Sequence, residues 1–238
     1  WEAGVRVPLM ISGPGIKAGT LSRQKAIGYD ILPTICDILN IQDLDERVEG
    51  ASLIPALYGT GQVTRPHNEL YFHWPHYQHQ KQSKPDSTII DGDYKLHYFW
   101  ESGEYQLFNL ADDLAESNNL VESYPEKVGE MSTKLKEYLQ KIKAQLPTPN
   151  KDYTPENDPV RQERPVSVGS SPNIILVMAD DLAWMDLACQ GNPLVDTPFL
   201  DQFASEGIRF TSAYAAAPVC SPTRAALITG LAPARLRI

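Results

Sequence analysis

Cys220 and Arg224 are the residues whose types and spacing most directly suggest chemistry, and they lie within APVCSPTRAALITG, residues 217–230. Pro222 fits the first turn of a helix, which Gly230 would end. The unpaired N–H groups and the dipole of a helix N-terminus favour an anionic or polarised nucleophile, here the Cys220 thiol. Arg224, one turn along, can add a bidentate fork for a tetrahedral oxyanion such as sulfate or phosphate. Taken alone, the stretch equally fits an ordinary helix start with a buried thiol and a surface arginine.

Asp180 and Asp181 form a second candidate group, directly after the apolar run NIILVMA, Asn173 to Ala179. That run predicts a central parallel strand covered on both faces. Ligands of open α/β sheets bind beyond the carboxyl ends of the strands, which is where the two aspartates would lie. Adjacent carboxylates repel each other, so the pair makes sense if a hard cation such as Ca²⁺ or Mg²⁺ neutralises it. The alternative is that one aspartate caps a helix and the other is solvated.

The two groups together, in residues 174–230, resemble the opening segment of the type I sulfatases, a family of the alkaline-phosphatase-like superfamily. In that family a strand ends in two metal-binding aspartates, and a Cys-x-Pro-x-Arg motif followed by Leu/Ile-Thr-Gly marks the cysteine for oxidation to formylglycine. The motif is matched position by position at Cys220, Pro222, Arg224, Thr229 and Gly230. Thr223 stands where serine is more usual. The resemblance implies that a formylglycine-generating enzyme acts on Cys220.

The resemblance also implies an activity, the hydrolysis of sulfate esters. Hydrated formylglycine from Cys220 would present two hydroxyls, one of which attacks sulfur. A divalent cation, Ca²⁺ by resemblance, would bind Asp180, Asp181 and the modified residue 220, and would hold the sulfate oxygens together with Arg224. The covalent sulfate would leave as the second hydroxyl collapses to the aldehyde. The expected substrate is a sulfated carbohydrate, favoured by the aromatic and polar run YFHWPHYQ, or else an aryl sulfate.

The rest of the chain resembles the same family, but in the reverse order. WEAGVRVPLMISGPGIKAG and YDILPTICDILNI resemble the late part of the sulfatase catalytic domain, whereas DGDYKLHYF and YQLFNLADDLAESNNL resemble its small C-terminal domain. A proline-rich, unpatterned connector follows. The expected organisation is a late catalytic segment over 1–60, the small domain over 61–145, the connector over 146–172 and the opening catalytic segment over 173–238.

The expected fold class is α/β: a partial alkaline-phosphatase-like mixed sheet with flanking helices, joined to a small α+β module with an antiparallel sheet and a packing helix. VRVPLMI predicts a buried strand, and Asp30 is expected to cap the short helix that follows. The antiparallel sheet is expected from Glu69 to Leu110, where short aromatic and β-branched runs alternate with turn residues. A capping box of Ser123 and Glu126 predicts the start of the packing helix.

Periodicity predicts which helix faces are buried. The packing helix is expected to bury an apolar stripe of Val128, Met131, Leu135, Leu139 and Ile142. Thr197 and Pro198 predict a further helix that ends at Gly207. Its inward residues are expected to be Phe199, Leu200 and Phe203. IRFTSAY, directly after this helix, predicts another short strand.

Two further clusters suggest chemistry less strongly. His73, His76 and His79 are three residues apart, but a proline between the first two breaks a helical interpretation. An ordinary polar loop is therefore favoured over a carbohydrate-facing loop or a metal site. The Asp112–Asp113 pair lacks a preceding buried parallel strand, so it is interpreted as a solvated turn.

Composition limits the class of protein. The net charge of -9 argues against nucleic acid as a partner. No apolar run reaches the length of a membrane span, and no signal peptide is visible in a chain that begins with Trp1. Three cysteines cannot all pair, and Cys36 fits a buried apolar position. The family resemblance favours a periplasmic or secreted location.

Several groups of the family pattern have no counterpart in this sequence: the Gly-Lys-Trp-His-like motif, the Asp-Asn metal pair and the lysine before the WEAGVRVP equivalent. We therefore expect an incomplete and inactive site, because catalytic groups fail as a unit. Two origins fit the order, namely a piece of a tandem double sulfatase, which is favoured, and a permuted chain with its middle deleted. The alternatives to a sulfatase are a phosphodiesterase or phosphonate monoester hydrolase of the same superfamily, and a non-catalytic fragment.

Overall fold

A computed structural model describes residues 2–76, 84–148 and 174–238 of the chain, which form two sheets with flanking helices. The strands are β1 (Arg6–Ile11), β2 (Thr20–Ser22), β3 (Ala26–Ile27), β4 (Leu70–Trp74), β5 (Asp86–Asp91), β6 (Tyr94–Phe99), β7 (Tyr105–Asn109) and β8 (Ile208–Tyr214). The helices are α1 (Glu2–Val5), α2 (Ile31–Ile38), α3 (Ile54–Tyr58), α4 (Pro125–Lys141), α5 (Pro198–Glu206), α6 (Cys220–Thr229) and α7 (Pro233–Leu236). In the described ranges, no helix combines the length and apolar character needed to cross a membrane.

The first sheet is mixed, and β8 is its central strand. β1 pairs antiparallel with β8, with Arg6 opposite Tyr214 and Ile11 opposite Ile208. β2 and β3 pair in parallel with the other edge of β8. The strands predicted from VRVPLMI and IRFTSAY are confirmed, as is the mixed α/β class, but β1 is half-buried rather than buried. Residues from both ends of the chain therefore share one sheet.

The second sheet is an antiparallel meander in which β4, β5, β6 and β7 are neighbours in chain order. Gly92 and Gly103 make its turns at φ values of 57° and 73°, which residues with a side chain rarely adopt. α4 packs on one face of this sheet, as predicted. The buried contact is formed by Met131, Leu135, Leu139 and Ile142 of the helix segment against Tyr71, Ile89, Leu96 and Leu107 of the sheet.

The apolar run after the connector is not a strand in residues 174–179, and all of these residues are exposed. Ile175 and Val177 are exposed by 86% and 84%. β8 takes the central place that was predicted for this run, and both edges of β8 are already paired. A strand of this composition needs cover on both faces, and no strand among the described residues pairs with it. The prediction of a central parallel strand over Asn173 to Ala179 is therefore wrong; Asn173 itself, like most of the connector, lies outside the described residues.

Asp30 precedes α2 but does not cap it. Its fully buried carboxylate accepts hydrogen bonds from the backbone N–H groups of Ile27 and Ala51, each at 2.9 Å, and from Arg65 Nε at 2.9 Å. The carboxylate is thus held by a buried guanidinium and by a neighbouring loop. A buried carboxylate is tolerated when it is paired with a cation and hydrogen-bonded in this way. The predicted cap is corrected to a buried ion pair.

The local predictions for α4 and α5 also need correction. α4 has no side-chain cap, so Ser123 and Glu126 do not form a capping box. α5 begins and ends as predicted, but its large apolar residues are exposed: Phe199 by 85%, Leu200 by 41% and Phe203 by 42%. The polar side of α5 faces the protein instead, because Thr197 Oγ1 and Asp201 Oδ1 accept hydrogen bonds from the backbone N–H groups of Ala188 and Cys189 at 3.0 and 2.8 Å.

Glu49 is a buried carboxylate at the point where three parts of the chain meet. Its Oε1 accepts hydrogen bonds from the Tyr138 hydroxyl at 2.9 Å and from Arg235 Nη2 at 3.1 Å. Its Oε2 accepts one from the Ala232 backbone N–H at 3.1 Å, and its own N–H donates to the Gly230 carbonyl at 3.2 Å. Burial, with the nearby Glu49 charge, raises the pKa of Tyr138 well above its ordinary value, so the phenol remains a donor.

His73 lies in β4 and is buried, rather than in the polar loop that was predicted. Its Nε2 donates to the Gln145 carbonyl at 2.9 Å. Its Nδ1 accepts from the Ser87 hydroxyl at 2.7 Å, and Trp100 Nε1 donates to that hydroxyl at 2.7 Å. His76 is exposed, and His79 lies outside the described residues. The neutral imidazole of His73 therefore fixes Gln145, which follows α4, to the antiparallel sheet.

We expect the stability of the fold to fall in acid because of His73. Burial lowers the pKa of His73 below its ordinary value of 6.5, although the Gln145 hydrogen bond and the Asp86 charge oppose this. The unfolded chain then binds a proton that the folded chain does not. The stabilisation is complete above about pH 6.5 and is lost as the pH falls further, by at most about 1.4 kcal/mol per pH unit.

Urea unfolding at about pH 7.5 and about pH 5 measures this effect. The loss of stability in acid should be smaller in His73→Gln than in the wild type, whereas His76→Gln, at an exposed position, should behave as the wild type does. Equal acid sensitivity of all three proteins would contradict the prediction.

Candidate active site

Cys220 is the first residue of α6, and its thiol is exposed. The preceding residue, Val219, has an extended backbone at φ −140° and ψ 157°, so the chain turns sharply into the helix at the cysteine. Pro222 lies buried in the first turn, where its missing N–H costs no hydrogen bond. The helix predicted from the motif is confirmed. It presents the Cys220 side chain to solvent at the positive end of the helix dipole.

The hydroxyl of Thr223 fixes the loop before α6. Its Oγ1 donates to the backbone carbonyl of Ala217 at 2.8 Å. Serine carries the same donor, which gives the substitution noted in the motif a simple physical reason. At the other end of the helix, Gly230 has a φ of 67°, and a Cβ there would lie 3.1 Å from side-chain carbons of Leu32 and Val48. The motif's glycine is therefore required both by conformation and by space.

The structure brings Asp180 and Asp181 to the same place as Cys220 and Arg224. All four line a cleft of about 350 Å³. Asp180 Oδ2 and Arg224 Nη2 form an ion pair at 3.3 Å, in which both side chains are about half exposed. Asp181 adopts a left-handed backbone at φ 53°, which aspartate tolerates better than most residues. Asp180 and Asp181 reach the cleft without the predicted strand before them. The exposed segment that carries them itself lines the cleft.

Arg6 is a lining residue of this cleft that we did not predict from the sequence. Its Nε donates to the Thr211 carbonyl at 3.0 Å, and its guanidinium carbon lies 4.7 Å from the centre of the Trp184 ring. Trp184 follows the acidic pair, so Arg6 connects that segment to the mixed sheet. No local pattern could reveal this contact, because Arg6 and Thr211 are 205 positions apart in the chain.

The cleft offers oxygen ligands of the type that a hard cation prefers, but it offers few of them. Asp180 and Asp181 present carboxylate oxygens, which Ca²⁺ and Mg²⁺ prefer. In residues 2–76, 84–148 and 174–238, no three or more His, Cys, Asp or Glu side chains are grouped to hold a metal ion. Since Ca²⁺ takes about six to eight oxygen ligands, the two carboxylates fit as part of a shell.

The other clusters are structural. The backbone N–H groups of Ser117 and Asn118 donate to the Asp113 carboxylate at 2.8 Å, and Asn109 Nδ2 donates to Asp112 at 2.8 Å, so this acidic pair forms an exposed turn. Cys36 is buried, as predicted, and the three cysteines are free.

Comparison with known families gives two matches that together span most of the chain. Residues 172–238 match the model of the Sulfatase family. Residues 1–145, more than half of the chain, match the model of the C-terminal part of N-sulphoglucosamine sulphohydrolase. The connector between them is matched by neither.

Individual relatives are similar to part of the chain. Human arylsulfatase A is 49% identical over 71 residues, 30% of this chain and 14% of the relative. Pig N-acetylgalactosamine-6-sulfatase is 55% identical over 64 residues, 27% of this chain and 12% of the relative. A solved 2-O GAG sulfatase is 26% identical with a TM-score of 0.43, and the match covers 54% of this chain and 28% of that structure. The chain thus matches a small fraction of the length of these proteins.

We expect the stability of the fold to depend on the hydroxyl group of residue 223. Thr223→Val keeps the shape but leaves the buried Ala217 carbonyl without its donor, which should cost about 1–2 kcal/mol of unfolding free energy. Thr223→Ser keeps the donor and should cost less than about 0.5 kcal/mol. Urea unfolding of the three proteins measures the difference, and a valine variant as stable as the serine variant would contradict the assignment.

Proposed function

Because this chain belongs to the sulfatase family, we propose that the cleft around Cys220 is a sulfate ester site. The observation that carries the proposal is the meeting, in one cleft, of a thiol at a helix N-terminus, an arginine one turn along the same helix and an acidic pair from a distant segment. The positive residues and helix N–H groups suit a tetrahedral anion, and the carboxylates suit a hard cation. A sulfated carbohydrate is the favoured substrate, and pig N-acetylgalactosamine-6-sulfatase is a relative whose name fits this class.

We propose the following roles for the residues of the cleft. Cys220 is the residue that a formylglycine-generating enzyme would convert, and its hydrated aldehyde would supply the hydroxyl that bonds to sulfur as the sulfur–oxygen bond to the ester alcohol breaks. Arg224 holds the sulfate oxygens with its planar fork. Asp180 and Asp181 would hold the divalent cation, Ca²⁺, through carboxylate oxygens. α6 aims the backbone N–H groups of its first turn at the same anion.

The site that these residues form is incomplete, so we propose that this chain alone hydrolyses sulfate esters very slowly. One arginine and two carboxylates bind only part of the anion and the cation. The segment that carries the carboxylates is exposed over residues 174–181, so solvent screens the charges of both aspartates. Because groups that act as one catalytic unit fail together, the loss of some of them removes most of the rate.

Conversion of Cys220 is the first test. Aerobic co-expression with a formylglycine-generating enzyme should convert the Cys220 thiol to an aldehyde, because the sequence carries the whole motif and Cys220 is exposed. Peptide mass spectrometry at residue 220 measures the converted fraction. Arg224→Ala should reduce that fraction strongly, whereas Cys189→Ser, outside the motif, should not. An unmodified thiol in the co-expressed wild type would count against the proposed nucleophile.

Turnover is the second test. The converted chain should release little sulfate from an aryl sulfate or from sulfated oligosaccharides in the presence of added Ca²⁺, for the reasons of incompleteness given above. An aryl phosphate, assayed in parallel, separates the phosphodiesterase alternative. Cys220→Ala is the control for background hydrolysis. Robust sulfate release that disappears in Cys220→Ala would show that the chain builds a complete site from other groups.

A further inference from the structure

The charges that line the Cys220 cleft cancel. Its charged lining residues among the described parts of the chain are Arg6, Arg224, Asp180 and Asp181, two of each sign. A cleft without net charge gives no long-range attraction to a sulfate ester, which is itself an anion. A divalent cation bound to the aspartates would change the sum from zero to two positive charges. A bound cation would therefore give the cleft a long-range attraction for anions that its own charged side chains do not supply.

The arginines of the cleft are also engaged locally. Arg224 Nη2 lies 3.3 Å from Asp180 Oδ2, so part of the fork that would bind an oxyanion faces a carboxylate of the protein. Arg6 is held by the Thr211 carbonyl and lies over the Trp184 ring. An anion that approaches Cys220 must therefore compete with Asp180 for Arg224. A cation on Asp180 would weaken that competition, because the cation and Arg224 need the same carboxylate.

From this geometry we propose that Asp180 blocks Arg224 until a divalent cation binds, so that the site takes its cation first and its oxyanion second. This inference rests on the proposed function for the identity of the two ligands. It assigns Asp180 a second role, beyond cation binding, as the residue that keeps anions away from Arg224 when no cation is bound. By linkage, the oxyanion must raise the affinity for the cation by the same factor as the cation raises that for the oxyanion.

The unconverted Cys220 thiol provides a direct probe of this charge. Its thiolate is alkylated by iodoacetate, an anion, or by iodoacetamide, a neutral molecule of similar size, and in both cases sulfur bonds to carbon as iodide leaves. The ratio of the two rates at Cys220, measured by peptide mass spectrometry, reports how readily an anion reaches the arginine beside it. Differences in thiol exposure or pKa affect both reagents and cancel in the ratio.

Asp180→Asn should raise this ratio about two- to fivefold, the effect expected for release of an exposed ion pair. Asp181→Asn is the matched control, because it removes the same charge one residue away, at a left-handed position that asparagine also tolerates. The ratio should rise less than about 1.5-fold in Asp181→Asn, since solvent and salt screen the effect of a charge that makes no direct contact with Arg224. The double variant Asp180→Asn with Arg224→Ala should have the ratio of Arg224→Ala alone.

Addition of Ca²⁺ tests the order of binding. At about 10 mM, above the dissociation constants of about 1 mM of weak protein sites, Ca²⁺ should raise the ratio in the wild type and have less effect in Asp180→Asn. Equal effects of the two asparagine variants would overturn the block of Arg224 by Asp180, and a wild-type ratio that Ca²⁺ leaves unchanged would overturn the order of binding. Both results are independent of formylglycine formation, so failure of the proposed sulfatase function is scored separately by the conversion and turnover assays.

Discussion

The antiparallel pairing of β1 with β8 is the contact on which both the mixed sheet and the cleft depend. It joins residues 6–11 to residues 208–214 and leaves β2 and β3 to pair with the other edge of β8. The pairing continues one step beyond the strands, where the Ala215 N–H donates to the Val5 carbonyl at 2.7 Å. This step guides the chain from β8 towards Cys220 and places Arg6 at the cleft. Without β1, the cleft would lose its lining residues Arg6 and Val7.

Buried charges fix how the remaining parts meet. The Asp30–Arg65 pair and the Glu49 carboxylate are each satisfied by groups from segments far apart in sequence. A buried ion adds little net stability over an apolar side chain, but the loss of one partner leaves an uncompensated charge and costs several kcal/mol, about 3–5. Such groups therefore select one arrangement of segments over others. Glu49 is the clearest case, since it binds α4, the start of α7 and the residue that ends α6.

The parts of the structure that follow from local chemistry were predictable from sequence. α6 follows from Pro222 and Gly230, and the antiparallel module follows from its alternating strands and glycine turns. The errors arise where non-local contacts decide. Phe199 is apolar, yet it faces solvent because neighbouring hydroxyl and carboxylate groups turn the polar side of α5 inward. Residues 174–179 have the composition of a buried strand, but composition does not supply the neighbouring strands. Arg6 reaches the cleft through strand pairing across most of the chain, which no window of sequence can show.

The spatial order of the strands in the mixed sheet differs from their order in the chain. The pairing of β1 with β8 is indifferent to which strand comes first, because hydrogen bonds and side-chain packing depend on position alone. The connector makes that pairing intramolecular, which raises the effective concentration of each part for the other to about the millimolar range if its length suits the span. The shared sheet therefore forms from a late and an opening segment of the family pattern whichever of the two comes first in the chain, even though the run before Asp180 stays outside the sheet.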